Sequence, residues 1–320
     1  MSQGVNTPLP RGEGSLLIKN VETPEGNQRV APNPDCRGTM KLGNFELHTI
    51  SDGTFALDGG QMFGVVPKPL WERKAPADER NRIRLSLTCL LIRTGRQNIL
   101  VETGIGDKFD ARFKDIYDVQ HPPTLLAGLD ELGLKPEDVH IVINTHLHFD
   151  HCGWNTRRVD GKTVPTFPRA RYFIQRGEWQ SALNPTERDR ASYIEEFFQV
   201  AERQTEFLDG GAEIAPGIRL EVVPGHTRHL QCARIESGNE CAYFISDTVP
   251  TAAHLAYPWI MSFDLYPMET LASKKRLLPQ LAQEQAIVIF PHDPNVPCVR
   301  LMESEGKIVA RPIADVRRSA

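Results

Sequence analysis

The hydrophobic rhythm of the chain changes several times, and each change predicts an element. From "FELHTISDGTFALDGG" onward, apolar and polar residues alternate over short runs, as in half-buried strands. "RLSLTCLLIRTGRQNILVETG" predicts two strands joined by a turn at "TGRQ". "PTLLAGLDELGL" instead places Leu125, Leu126, Leu129 and Leu132 on one helical face, and "VHIVINT" follows as a buried strand. Helical segments are expected around residues 176 to 207. Beyond them, "IRLEVVPGHT", "CAYFISDT", a helix within 269 to 285 and "AIVIFPHD" continue the alternation. The stretch "MFGVVPKPLWERKAPADE" (62 to 79) is expected as a surface loop, because its prolines do not suit a central strand. With no internal linker or repeat, residues 41–312 are expected to form one α/β domain of two sheets with outer helices. The Pro-, Gly- and Asn-rich residues 1–40 are expected as a flexible or partner-wrapping arm, and 313–320 as a tail.

Composition narrows the class. The 320 residues carry a formal charge of −4, which offers no broad basic field for nucleic acid. The start "MSQGVNTPLPRGEG" has neither a basic n-region nor an apolar h-region, and no window resembles a membrane span. A soluble cytoplasmic protein with no membrane partner is expected. The six cysteines lack CxxC spacing and are expected as free, mostly buried thiols.

The chemistry concentrates at strand ends. "NTHLHFDHCGW", directly after "VHIVI", sets His146, His148, Asp150 and His151 within six positions. Strand-like alternation would send His146, His148 and Asp150 to one side, and the glycine of "DHCGW" permits the turn that would bring His151 back. "RLEVVPGH" ends at His226, "CAYFISD" at Asp247 and "AIVIFPH" at His292. In sheets covered by helices, loops beyond the carboxyl ends of strands present side chains to a common site. Five imidazoles and two carboxylates are a donor set for two divalent metal ions: zinc, with iron, manganese or cobalt as alternatives, because no thiolate selects a softer metal. Asp247 is the expected bridge. His48, His121 and His140 stand alone and are expected to be structural or solvent-facing.

"THLHFDH", "PGHT", "SDT" and "PHD", in this order, resemble the metallo-β-lactamase superfamily. The resemblance implies an αββα sandwich with a binuclear site at one edge. It implies His146, His148 and His226 as ligands of one ion, Asp150, His151 and His292 as ligands of the other, and Asp247 between them. "LDGGQMFGVVPKPLW", "ETGIG" and "THLHFDHCGWN" are similar to YtnP-type quorum-quenching lactonases, which open N-acyl-homoserine lactones. Such a lactonase would use a metal-bridged hydroxide, with Asp150 in proton transfer. Glu102 stands where many relatives carry aspartate, and is expected to orient a ligand imidazole. Met62, Phe63, Trp71 and Trp154 are expected as an apolar wall for a small lactone or ester substrate. The same frame admits an organophosphate or aryl-ester hydrolase of the methyl parathion hydrolase type. Outside enzymes, it admits a metal-binding ligand sensor. The oligomeric state, including a homodimer, is left open.

Overall fold

The computed structural model describes residues 39–199, 202–304 and 307–313. Most of the expected arm, with Cys36, and residues 314–320 of the expected tail lie outside them. In chain order the strands are β1 (Thr39–Leu42), β2 (Phe45–Asp58), β3 (Arg82–Arg93), β4 (Asn98–Val101), β5 (Ile141–Ile143), β6 (Thr156–Val159), β7 (Lys162–Pro165), β8 (Arg171–Gln175), β9 (Thr205–Leu208), β10 (Ala212–Ala215), β11 (Ile218–Val222), β12 (Gln231–Ser237), β13 (Glu240–Phe244), β14 (Ile287–Ile289), β15 (Cys298–Ser304) and β16 (Lys307–Pro312). The helices are α1 (Gly59–Phe63), α2 (Lys68–Trp71), α3 (Ala111–Tyr117), α4 (Leu125–Glu131), α5 (Arg176–Leu183), α6 (Glu195–Phe198) and α7 (Pro267–Gln283). Because β1 begins at Thr39, the expected boundary between arm and domain falls inside a strand.

Two seven-stranded sheets carry the architecture, in the orders β1-β2-β3-β4-β5-β8-β9 and β10-β11-β12-β13-β14-β15-β16, with β6 and β7 as a separate ribbon. Strand alternation builds three apolar layers. Ile99, Val101, Ile141 and Ile143 of the first sheet meet Ala242, Phe244, Ile287 and Ile289 of the second between the sheets. The intervening Leu100 and Val142 face outward into a layer with Leu125 and Leu129 of α4. Tyr243 and Val288 face outward to Leu277, Leu278 and Leu281 of α7. Strands covered on both faces need continuous apolar runs, which is why "VHIVI" and "AIVIF" lack alternation. The layers run helices, sheet, sheet, helices, so the αββα sandwich is the observed fold.

Topology then sets where the site must be. β4, β5, β8 and β9 run parallel, with Val101 opposite Ile143, and so do β13 and β14, with Phe244 opposite Ile289. Their carboxyl ends open on one edge, where the sheets are tied by Gln231 N–H to the Thr145 carbonyl (2.9 Å) and Ser86 N–H to the His292 carbonyl (3.1 Å).

Two local expectations change. Residues 205–207, expected within a helical region, fall in β9 (Thr205–Leu208) because Tyr172 to Gln175 of β8 provide a parallel edge for them. The 62–79 segment contains the end of α1 and all of α2 rather than loop alone, and its aromatics point inward: Phe63 and Trp71 stack at 5.3 Å and are buried. Gly59 makes room, since a Cβ there would lie 2.4 Å from the Trp71 ring. Among the described residues no helix is long and apolar enough to cross a membrane; Cys89, Cys152, Cys232 and Cys241 are free and buried, and Cys298 is buried.

Candidate metal centre

The donor-rich stretch starts where β5 stops. Its strand ladder ends at Ile143, so His146, His148, Asp150 and His151 occupy a loop rather than alternate strand positions. That loop is fastened by backbone bonds: His151 N–H to the His148 carbonyl (3.0 Å) and Thr103 N–H to the His151 carbonyl (2.8 Å). At Gly153 a Cβ would sit 2.0 Å from the Ile105 carbonyl carbon, so the turn after His151 presses against the loop leaving β4. Glu102 and Ser246, at the exits of β4 and β13, adopt φ of 66° and 50°. A left-handed conformation in non-glycine residues costs on the order of 1–3 kcal/mol each and collects at functional sites.

All seven sequence-predicted donors meet at this edge. His146, His148 and His226 form one group whose ligand atoms lie within 4.8 Å of one another, and Asp150, His151 and His292 form another. Asp247 stands between them, with its Oδ2 3.3 Å from His226 Nε2 and its Oδ1 3.1 Å from His292 Nε2. Ring nitrogens face each other in both groups: His226 Nε2 and His148 Nδ1 at 3.0 Å, His292 Nε2 and His151 Nε2 at 3.2 Å.

The outer nitrogens fix which inner ones are bare. His226 Nδ1 meets the Asp264 carboxylate at 2.9 Å, and His292 Nδ1 meets the Ser86 carbonyl at 2.9 Å, so each Nδ1 carries the proton and each Nε2 presents a lone pair. Glu102 Oε2 lies 3.5 Å from His151 Nδ1, while its Oε1 accepts from Thr145 N–H at 3.2 Å. Glu102 also groups with His146 and His151 as donors. It faces the outer nitrogen of His151, however, which suits support from behind better than direct ligation.

Electrostatics favour a cation here. Burial holds His146 and His148 well below the usual imidazole range, and neighbouring imidazoles push the same way. Burial opposes charge on His151 too, yet Asp150, Asp247 and Glu102 outweigh it and raise that imidazole well above its usual value. Burial would raise Asp247, but His292, His151 and His226 hold it well below the carboxylate range. His146 Nε2 is buried without a hydrogen-bond partner. Bare imidazole nitrogens turned toward one another, an orphaned ring nitrogen and carboxylates that attract positive charge fit a metal site.

The centre floors a cavity of about 420 Å³. His148, Asp150, His226, Asp247 and His292 line its base; Leu57, Met62, Tyr117, Phe149, Met261 and Phe263 supply apolar wall, and exposed Arg188 stands at its side. Of the expected wall residues, Met62 lines this cavity. Phe63 and Trp71 do not, because they stack on each other in the core, where Phe63 also stacks on His254. Trp154 is also buried elsewhere, its indole N–H bound to Asp52 at 2.7 Å. Sequence reading missed Asp264, Tyr117 and Arg188. Asp264 carried one usable signal, a lone carboxylate between Phe263 and Leu265. His140 lies at the opposite edge, accepting from Asn98 N–H at the start of β4.

Comparison with known proteins agrees with this geometry. The sequence signature of the metallo-β-lactamase superfamily matches residues 83–292. The chain belongs to that superfamily. Within the metallo-β-lactamase superfamily, it is 28% identical over 225 residues to an N-acyl homoserine lactonase of Bacillus cereus, covering 67% of this chain and 83% of that one. A crystal structure described as a probable metal-dependent hydrolase from Staphylococcus aureus superposes with a TM-score of 0.81 at 30% identity, covering 86% of this chain and 99% of that one. AidC, a dizinc quorum-quenching lactonase in complex with a product, shares the fold at a TM-score of 0.71 and 22% identity, covering 87% and 97%.

Proposed function

We propose that this metal-dependent hydrolase opens lactone rings, with N-acyl-homoserine lactones as its substrate class. The observation that carries the reading is the seven-donor centre at the floor of a cavity with an apolar wall, which pairs a hydrolytic base with a surface for an acyl chain. The relatedness to N-acyl homoserine lactonases supports it. His146, His148 and His226 would hold one divalent ion, Asp150, His151 and His292 a second, and Asp247 would contact both. Zinc is the proposed metal. Such ions lower the pKa of water toward neutrality and polarise a carbonyl oxygen.

The residues of the chain divide the remaining work. Leu57, Met62, Phe149 and Phe263 exclude water and take the acyl chain. Asp264, Ser86 and Glu102 hold the imidazoles in orientation. Asp150, a carboxylate on the cavity floor, passes a proton to the ring oxygen as the ester C–O bond breaks. Water thereby adds across that bond and the product is a hydroxy acid. No protein nucleophile takes part.

The test is a substrate panel on zinc-loaded protein: short- and long-chain N-acyl-homoserine lactones, an aryl ester and a phosphotriester at matched concentrations. The expected result is the highest kcat/KM on a lactone, abolished by strong chelation and restored by zinc. Preference for the phosphotriester or aryl ester would replace the lactone reading with the other hydrolase type. Binding without turnover of any of them would indicate a ligand sensor.

A further inference from the structure

One buried carboxylate lies behind the centre and takes no part in the roles described so far. Glu178, on α5, is only 1% exposed. Its Oε1 accepts from the backbone N–H of Leu147 at 3.1 Å and from the phenol of Tyr193 at 3.0 Å, and its Oε2 accepts from the hydroxyl of Thr227 at 2.7 Å. Leu147 sits between His146 and His148, and Thr227 follows His226. A single side chain therefore grips two loops that leave different sheets, one after β5 and one after β11, and these loops carry the three imidazoles of one donor group. Tyr193 adds a second hold, since its ring packs edge-on against His148 at 4.9 Å.

The other group is fastened by main-chain bonds. His151 is held through its carbonyl by Thr103 N–H, and His292 through its carbonyl by Ser86 N–H. Those are main-chain bonds that a side-chain substitution leaves in place. His226 is likewise held through its carbonyl, by Leu265 N–H at 3.0 Å, so what sets the triad apart is the added side-chain bridge of Glu178 between its two loops. The triad of His146, His148 and His226 is also made of imidazoles alone, with no carboxylate of its own. A buried acidic side chain behind it supplies negative charge on the side away from the cavity.

We infer that Glu178 is a positioning residue that fixes the two loops bearing His146, His148 and His226, and so sets cation affinity at that group separately from the group of Asp150, His151 and His292. The inference rests on the metal reading above. Failure of that reading would show in the parent protein as a lack of bound metal, whereas failure of this inference shows only when two backgrounds are compared.

The experiment uses zinc ions alone as the probe and the metal retained per chain under graded chelator as the readout. Glu178→Gln is placed in a His292→Ala background, which leaves the triad intact, and in a His226→Ala background, which leaves the other group intact. The expected result is weaker retention by about tenfold or more in the first background and by less than about twofold in the second. Thr227→Val, which removes one of the three bonds, is expected to shift retention in the same direction by less, and it carries the test if the glutamine variant does not fold. Equal shifts in both backgrounds would mean that Glu178 merely stabilises the fold. That result, or parental retention in the His292→Ala background, would overturn the inference.

Discussion

His226 Nδ1 and the Asp264 carboxylate lie 2.9 Å apart, and Thr270 donates to the other Asp264 oxygen at 2.7 Å. The chain runs from imidazole through carboxylate to a hydroxyl on α7, so the helix on the second sheet sets the direction of a donor on the cavity floor. Asp264→Ala should weaken zinc retention by on the order of ten- to a hundredfold, read by metal content after dialysis against graded chelator. Parental retention would remove Asp264 from the support of the centre.

Asp247 contacts imidazoles of both donor groups, whereas His140 sits at the far edge of the first sheet. Asp247→Ala is expected to lower both metal content and turnover, and His140→Ala to change neither. Elemental analysis with a hydrolysis assay checks the pair, and equal losses in both would contradict the placement of the centre.

Phe63 and Met62 are neighbours in sequence with opposite surroundings. Phe63→Ala deletes a ring stacked on Trp71 and His254, and should cost about 3–5 kcal/mol of stability, seen in denaturant unfolding. Met62→Ala trims the cavity wall and should lower kcat/KM for a long-chain lactone by about tenfold, about 1–2 kcal/mol, with short-chain lactones less affected. A proportionate fall for both chain lengths would take Met62 out of acyl recognition.

His254 gives a pH prediction. Its Nε2 donates to the Met62 carbonyl at 2.8 Å and its Nδ1 meets Thr251 Oγ1 at 2.8 Å, which satisfies a neutral ring. Burial pushes its pKa down to about 3. Between the unfolded value near 6.5 and about 3, the unfolded chain binds a proton that the folded chain refuses. The contribution is therefore fully present above about pH 6.5 and is lost as pH falls. A His254→Gln variant should show a shallower loss of stability on acidification, by up to about 1.4 kcal/mol per pH unit. Identical slopes from pH 6.5 to 4.5 would show that His254 does not titrate on unfolding.

The site was readable where chemistry and topology coincide. His146, His226, Asp247 and His292 follow apolar runs, and parallel strands put those ends on one edge. Glu102 was readable for the same reason, as the residue that leaves β4. Asp264 was hidden because no strand delivers it; it is brought to His226 by backbone bonds of the segment before α7, Leu265 N–H to the His226 carbonyl (3.0 Å) and Tyr266 N–H to the Gly225 carbonyl (2.9 Å). The 62–79 segment misled for a physical reason: prolines and glycines mark irregular backbone, but they do not say which way side chains turn, and Phe63 and Trp71 turn inward. The short β9 escaped because four residues carry little periodicity, and its partner β8 supplies the edge that makes it a strand.

The close approach of Gly153 to Ile105 has a consequence for how such a chain can change. The turn that follows His151 is locked by main-chain proximity, so sequence drift there is confined to residues that keep two backbones almost touching. Arg188, Met62 and Phe263 come from segments outside that lock. Novelty in what the protein acts on is therefore free to accumulate around the rim while the floor keeps its chemistry, and one scaffold can give rise to descendants with different diets and the same way of cutting.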